Sequence, residues 1–193
     1  MKQMIKSVFA FVFYALALPS FILYQLLSVI ADRVSVFAAF SQFYSLFPGK
    51  LGSYLRIGFY RLACEKCSSE VIIGFGTLLS QPSIVLEPNV YIGPQGNIGT
   101  CRIGHDSLLG SGVHILSGKG QHNFSDLDVP IREQGGTFEQ ISIGRNCWIG
   151  NGAIVMASLG DNVIVAAGAV VTNDIEANSI VAGNPARIIR VRS

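Results

Sequence analysis

A period of six constrains this chain more than any other feature. Aliphatic side chains recur ahead of glycine or another small or acidic residue at Ile73, Leu79, Leu86, Ile92, Ile98, Ile103, Leu109 and Ile115. After a gap they resume at Ile143, Ile149, Val155, Leu159, Val165 and Val171. Four residues after the aliphatic one, a small residue such as Thr77, Ser83, Ser107, Cys147, Ala153 or Ala169 often follows. Such a period fits neither an α-helix of 3.6 residues per turn nor a strand alternating in twos. It fits short strands that turn a corner every six residues, so that three hexapeptides make one triangular coil. One aliphatic residue per face points inward, and each coil buries an edge that its neighbour leaves open. The spacing therefore predicts an all-β fold, a parallel β-helix over residues 71–193.

Residues 1–70 read differently. Half of the chain is hydrophobic and only 13% is charged, against about a quarter charged in ordinary soluble domains. The apolar excess is concentrated near the N-terminus, since Ser7–Ala31 and Val34–Gly49 carry no charged side chain. A helix over Ser7–Ala31 is about 37 Å long at 1.5 Å per residue, enough to cross a hydrocarbon core of about 30 Å. Pro19 lies at its middle and is expected to kink or break it. The preferred expectation is a kinked helix that enters and leaves a membrane on one face, with a full span as the alternative. The stretch holding Phe37, Phe40, Phe43, Tyr44 and Phe47 reads as an interfacial amphipathic helix ending at Pro48-Gly49. Mutual packing of these helices is the competing reading. Lys2, Lys6, Arg33, Lys50, Arg56 and Arg61 flank the apolar stretches, where cations meet anionic headgroups. Residues 7–47 are thus the expected membrane contact. A net charge of +2 gives no argument for nucleic acid.

Four cysteines, Cys64, Cys67, Cys101 and Cys147, give one C-x-x-C and no second pair to complete a zinc site, so reduced thiols are expected. The repeat stops at an insert over residues 119–140, and a long loop inside a repetitive fold usually serves a function. Of the three histidines, His122 lies on that insert near Asp126 and Asp128; His114 just precedes an inward aliphatic; His105 follows Ile103-Gly104 at a corner. An imidazole titrating near neutrality suits proton removal from a hydroxyl. The aspartates either orient that ring or form turns.

Three segments carry a family resemblance: Ile143-Gly-Arg-Asn-Cys-Trp-Ile-Gly150, Ala167-Gly-Ala-Val-Val-Thr-Asn-Asp174 and Ala182-Gly-Asn-Pro-Ala-Arg-Ile-Ile-Arg190. Over about Val71–Arg190 the chain resembles the hexapeptide-repeat acyltransferases, in particular their galactoside, maltose and polysaccharide O-acetyltransferase branch. Phe47–Arg56 is similar to the lead-in of membrane-associated members from surface-polysaccharide pathways. The resemblance implies left-handed winding and a homotrimer. It also implies acetyl-CoA as acyl donor, with its pantetheine arm between subunits. It implies His122 as general base, followed as in relatives by acidic residues and the pair Pro130-Ile131, with His114 as the second choice. It implies Trp148, Gly150 and Asn151 near the thioester, Ala167 and Thr172 along the arm, and Arg187 and Arg190 near the adenosine phosphates. Trp148 has a structural reading between subunits as well. Asn173 stands where many relatives have lysine. A backbone amide within Gly150–Gly152 is the expected oxyanion donor. Val155–Leu159 is two residues shorter than the common spacing.

The implied function is O-acyl transfer, acetyl by resemblance, to a hydroxyl of a sugar or surface-polysaccharide precursor, at the cytoplasmic face of the cell membrane where coenzyme A is present. No metal is required. Two alternatives remain: a non-catalytic β-helix scaffold in polysaccharide assembly, and a zinc enzyme like the carbonic anhydrases of this fold. The second needs two histidines five residues apart, whereas these are nine and eight apart.

Overall fold

All fourteen aliphatic residues of the six-residue period are buried. The computed structural model describes residues 2–192, with side chains from Val8 onward. They stack in three rows, one behind each face of a parallel β-helix of about six turns. The first coil is β1 (Lys66–Cys67), β2 (Ile72–Ile73) and β3 (Leu78–Leu79); the second is β4 (Val85–Leu86), β5 (Tyr91–Ile92) and β6 (Asn97–Ile98). The third is β7 (Cys101–Ile103), β8 (Leu108–Leu109) and β9 (His114–Ile115), and the fourth is β10 (Ile141–Ile143), β11 (Trp148–Ile149) and β12 (Ile154–Val155). The fifth coil pairs through Leu159, then β13 (Ile164–Val165) and β14 (Val170–Val171). The sixth pairs through Ile175 and β15 (Ser179–Gly183). The final strand, β16 (Ala186–Val191), turns back antiparallel on β15 and covers the exposed edge of the second face.

Two corners of the triangle are regular, and each has its own backbone solution. Between the first and second faces stand Asn89, Asp106, Asn146, Asn162 and Asn178, all at φ between 51° and 62°. Asn and Asp tolerate this left-handed region better than other side chains with a Cβ. They also form a ladder: the Asn89 amide donates to Asp106 at 2.8 Å, Asn146 to Asn162 at 2.8 Å and Asn162 to Asn178 at 2.9 Å. The next corner uses Gly76, Gln95, Gly112, Gly152 and Gly168, again at positive φ. The third corner has no such residue outside the insert, where Gly118 and Gly135 take positive φ, and it varies in length. Every break in the six-residue period falls there: the long step Leu79–Leu86, the short steps Ile98–Ile103 and Val155–Leu159, and the insert after Ile115. The short Val155–Leu159 step costs no pairing, because Leu159 bridges Ile143 and Ile175 in parallel.

Three helices close the N-terminal end of the coils: α1 (Lys2–Ile30), α2 (Arg33–Ser45) and α3 (Gly49–Ala63). Helix α2 packs on β3, and α3 on β1 and β2. The expected break at Pro19 does not occur, since α1 runs through it with Pro19 exposed. Nor is α2 an interfacial helix. Phe37 and Tyr44 are buried, Phe40 and Phe47 pack on the core, and only Phe43 of that aromatic set is exposed. The rings of Tyr24, Phe37, Phe40, Tyr44, Phe59 and Tyr60 form a single cluster joining all three helices. Helix α3, which the sequence reading passed over as a lead-in, crosses α1 at Gly58. A Cβ there would lie 2.3 Å from the Phe13 carbonyl oxygen.

Arg56, expected among the cations at the headgroups, lies elsewhere. It is not at a lipid surface but fully buried, donating to the carbonyls of Ile73 (3.1 and 2.9 Å), Tyr44 (3.2 Å) and Phe47 (2.7 Å). One guanidinium thereby ties the end of α2 and the start of the first coil to α3. Arg33 donates to the Tyr24 hydroxyl and Arg61 to the Ala10 carbonyl. The side chains of Lys2 and Lys6 lie outside the described residues. All four cysteines are free thiols, and burial pushes Cys67 and Cys101 up to about 12, which keeps them neutral packing groups. Arg56→Met would leave three buried carbonyls without donors, and a loss of about 3 kcal/mol or more is expected from urea unfolding monitored by circular dichroism.

Candidate active site

The third corner also carries the insert, and there it forms an arm. Its two sides are tied at the base, middle and upper part by backbone bonds from Glu139 to Ser117 (3.0 Å), Thr137 to Gly120 (2.7 Å) and Asn123 to Gly135 (2.9 Å). Above these, Gln134 donates to the Asp126 and Val129 carbonyls at 2.7 Å each and accepts from the Asp126 amide at 3.1 Å. One turn of 3-10 helix, Ile131–Glu133, follows Pro130. Phe124, Leu127 and Ile131 are exposed at the tip, Leu127 at 96%.

His122 sits on the inner part of this arm, one residue below the Asn123–Gly135 bond, with its side chain exposed. Gly136 faces it across the arm, and a Cβ there would come 2.0 Å from the Gln121 carbonyl oxygen. The two sides therefore approach closely at this level, which fixes the His122 backbone. Neither aspartate is bonded to the ring. The Asp126 carboxylate instead accepts from the Asp128 amide at 2.9 Å, so it shapes the turn.

Beside the arm is a groove of about 390 Å³, within the usual size of small-ligand sites. Its floor is the outward side of the third face, where Asn97 and His114 are register neighbours on adjacent coils. Ser80, Gln81 and Ser117 add polar groups, Gln121 and Phe138 of the arm form one wall, and Val34 at the start of α2 closes one end. Hydroxyl, amide and imidazole groups beside one aromatic ring suit a polyhydroxylated ligand. A second groove of about 370 Å³ lies past the arm base, between Lys119 and Glu139 on one side and Met156, Ser158, Asn173 and Asp174 on the other.

His122 lines neither groove, although its neighbour Gln121 lines the first, and the residues expected to hold the acyl donor all belong to later coils. Trp148 projects from the second face, 55% exposed. Gly150, Asn151 and Ala167 meet at the glycine-rich corner, and each of the first two has a packing role. A Cβ on Gly150 would lie 2.5 Å from the Ala167 nitrogen, and the Asn151 side chain accepts from the Ser111 amide at 3.0 Å. Thr172 is half-buried at the third corner beside the second groove, and Arg187 and Arg190 are exposed on β16. Within one chain these residues do not converge on His122 in a single cavity; none lines either groove. The three histidines are likewise apart: His105 bonds Asp106 at 2.8 Å at a corner, His114 is on the third face and His122 on the arm. Among the described residues no group of His, Cys, Asp and Glu could hold a metal ion.

The sequence reading did not single out Asn97, Ser80, Gln81, Ser117, Gln121 or Phe138. Asn97 was within reach, because it lies one 17-residue coil before His114 and in the same outward position.

Comparison with known proteins bears on both the repeat and the fold. Residues 140–173 match the family described as the hexapeptide repeat of succinyl-transferase. A search among curated proteins finds no match. A maltose O-acetyltransferase from Clostridium difficile 630 is 20% identical, over 84% of this chain and 90% of that one, with a TM-score of 0.72. A galactoside acetyltransferase solved with coenzyme A is 19% identical over 84% of each chain, with a TM-score of 0.54. A point mutant of the N-acyltransferase AntD from Bacillus cereus, solved with coenzyme A and a dTDP-linked amino sugar, is 18% identical over 64% of this chain and 70% of that one, with a TM-score of 0.52. Residues 140–173 carry the hexapeptide repeat, and the chain is built as a left-handed parallel β-helix. It shares that repeat and that fold with the hexapeptide-repeat acyltransferases.

Gly136→Val should force the arm open where its two sides touch. Limited proteolysis is expected to cut within residues 120–139 at least several-fold faster than in the unsubstituted protein, with the thermal midpoint of the coils unchanged.

Proposed function

We propose that the protein is an acetyl-CoA-dependent O-acetyltransferase acting on a hydroxyl of a sugar or surface-polysaccharide precursor, with His122 as general base. The observation that carries this reading is the placement of the arm. It divides coils one to three, with the polar groove around His114 and Asn97, from coils four to six, with the donor motifs. The acceptor lies in the groove, and the His122 imidazole removes the proton of its hydroxyl. The oxygen attacks the thioester carbonyl, forming a C–O bond and a tetrahedral oxyanion. Collapse breaks the C–S bond, and the departing thiolate takes the proton from the imidazolium. Trp148, Gly150, Asn151, Ala167 and Thr172 line the path of the pantetheine arm, and Arg187 and Arg190 meet the donor phosphates.

The working unit is a homotrimer. Outward positions of the second face are apolar in register: Ile72, Tyr91, Leu108 and Trp148 are 51%, 38%, 44% and 55% exposed. Such a contiguous stripe is unusual on a free surface and fits a subunit interface. Packing through it brings the exposed arm tip of one subunit toward the donor residues of its neighbour, which explains why one chain does not complete the site. The enzyme works at the cytoplasmic face of the cell membrane, and within residues 7–47 the contact is made by the exposed side of α1 rather than by α2.

His122→Ala is expected to lower kcat for coenzyme A release about 10²- to 10⁴-fold with little change in the KM for acetyl-CoA. An unchanged kcat across a sugar panel overturns the assignment, and equal loss in His114→Ala but not His122→Ala transfers the role to His114. Leu108→Arg should convert the trimer to monomers in light scattering and abolish turnover together.

A further inference from the structure

Helix α1 is held to the molecule along one narrow stripe. Phe13, Ala17, Ser20, Phe21 and Tyr24 face inward, and polar ties recur along the way: Arg61 to the Ala10 carbonyl, Ser20 to the Tyr44 hydroxyl, Arg33 to the Tyr24 hydroxyl. From Ala10 to Tyr24 these ties cover about 21 Å of helix. So α1 lies lengthwise on a layer of α2 and α3, and that layer rests on the first coil. A perpendicular span would draw α3, with Arg56 and Arg61, and the edge of the first coil into hydrocarbon, at a cost of several kcal/mol for each unsatisfied polar group.

The remaining circumference of α1 is apolar apart from the exposed Gln25. Val8–Ile30 is uncharged and only 11% buried, with Phe11, Leu16, Ile22, Leu26, Val29 and Ile30 all more than half exposed. A neighbouring chain pressed on one side leaves the others wet, whereas lipid surrounds them all. Exposed cations, Arg33 and Lys50, rim the outer layer. The groove beside His114 opens at the same end: Val34, four residues past the last residue of α1, is part of its lining.

We propose that α1 lies in the plane of a bilayer, so that the coils stand upright on it, and that the His114 groove takes a glycan rooted in that same bilayer. With helices about 10 Å apart and strands about 4.8 Å apart, the groove stands on the order of 20–30 Å above the lipid. The substrate half of this proposal rests on the acyl-transfer reading; the orientation half does not.

Both halves are tested on the full chain with phosphatidylethanolamine–phosphatidylglycerol vesicles. The unsubstituted protein is expected to float with them, and the double variant L16E/L23E, changed only on the outer face, to stay in the soluble fraction with an unaltered thermal midpoint. Flotation of the double variant overturns membrane contact through α1, as does a lipid-independent shift to larger assemblies with no flotation. A protease site ahead of Met1 should be cut from outside in sealed inside-out vesicles, like one after Ser193; protection of the first overturns the in-plane orientation. For the substrate, radiolabelled acetyl-CoA is supplied with a bacterial glycolipid extract in the vesicles, or with the same glycans released by mild acid. Label is expected to enter the lipid-bound glycans at least tenfold faster, and L16E/L23E to lose that preference. Equal rates overturn the substrate half. Transfer to neither form counts against acyl transfer itself and leaves the flotation result standing.

Discussion

Continuous register across the arm is the constraint on which the rest depends. More than twenty residues leave the solenoid after Ile115 and return at Ile141, yet β10 pairs with β7, β11 with β8 and β12 with β9 without a shift. Ile143 therefore stacks on Ile103, Ile149 on Leu109 and Val155 on Ile115, and the three inward rows run unbroken from the first coil to the last. Because the side-chain period of a strand is two, a slip of one residue at this point would turn every later aliphatic outward. The backbone bonds at the base of the arm hold its two ends at adjacent coil levels. The arm is thus free to carry His122 outward without disturbing the barrel beneath it.

The N-terminal end obeys a different rule. A solenoid needs a cap, since the first coil exposes unpaired strand edges and one end of the apolar core. Here the cap is a layer of aromatic rings fixed by Arg56. Full burial of a guanidinium is tolerated because its N–H groups find main-chain carbonyls, two of them near the end of a helix and one at the end of a strand. The cap has two unlike sides: one matches the coils, and the other, α1, presents a surface that water does not suit.

How much of this was legible in the sequence follows from how local each signal is. The inward rows, the insert and the small residues behind the corners were readable, because each hexapeptide reports its own geometry. The helices were readable as apolar, but the choice between lipid contact and mutual packing was not. A run such as Val34–Phe47 has the same composition whether it meets lipid or Phe59 and Tyr60, and only tertiary contact separates the two. Arg56 was misread for the same reason, since its partners are carbonyls, which leave no trace in side-chain patterning. Pro19 reads locally as a breaker, whereas the packing of Ala17 and Tyr24 on either side of it is tertiary and leaves no local trace. At the site, the residues that bear motifs were found, but Asn97, Gln121 and Phe138 were not. They come together only through stacking of coils and folding of the arm, at separations no motif spans.

The unequal corners have a consequence for how such a chain can change length. At the two regular corners each turn depends on a residue with positive φ at a fixed place, and successive asparagines on the ladder sit 16 residues apart from Asn146 to Asn178. A single inserted or deleted residue there would break both the turn and the amide ladder. At the third corner the chain already accepts steps of several lengths. Genetic drift in size is therefore channelled: whole coils can be duplicated or lost as units, and smaller insertions survive only along one edge of the prism, the edge from which the arm has grown.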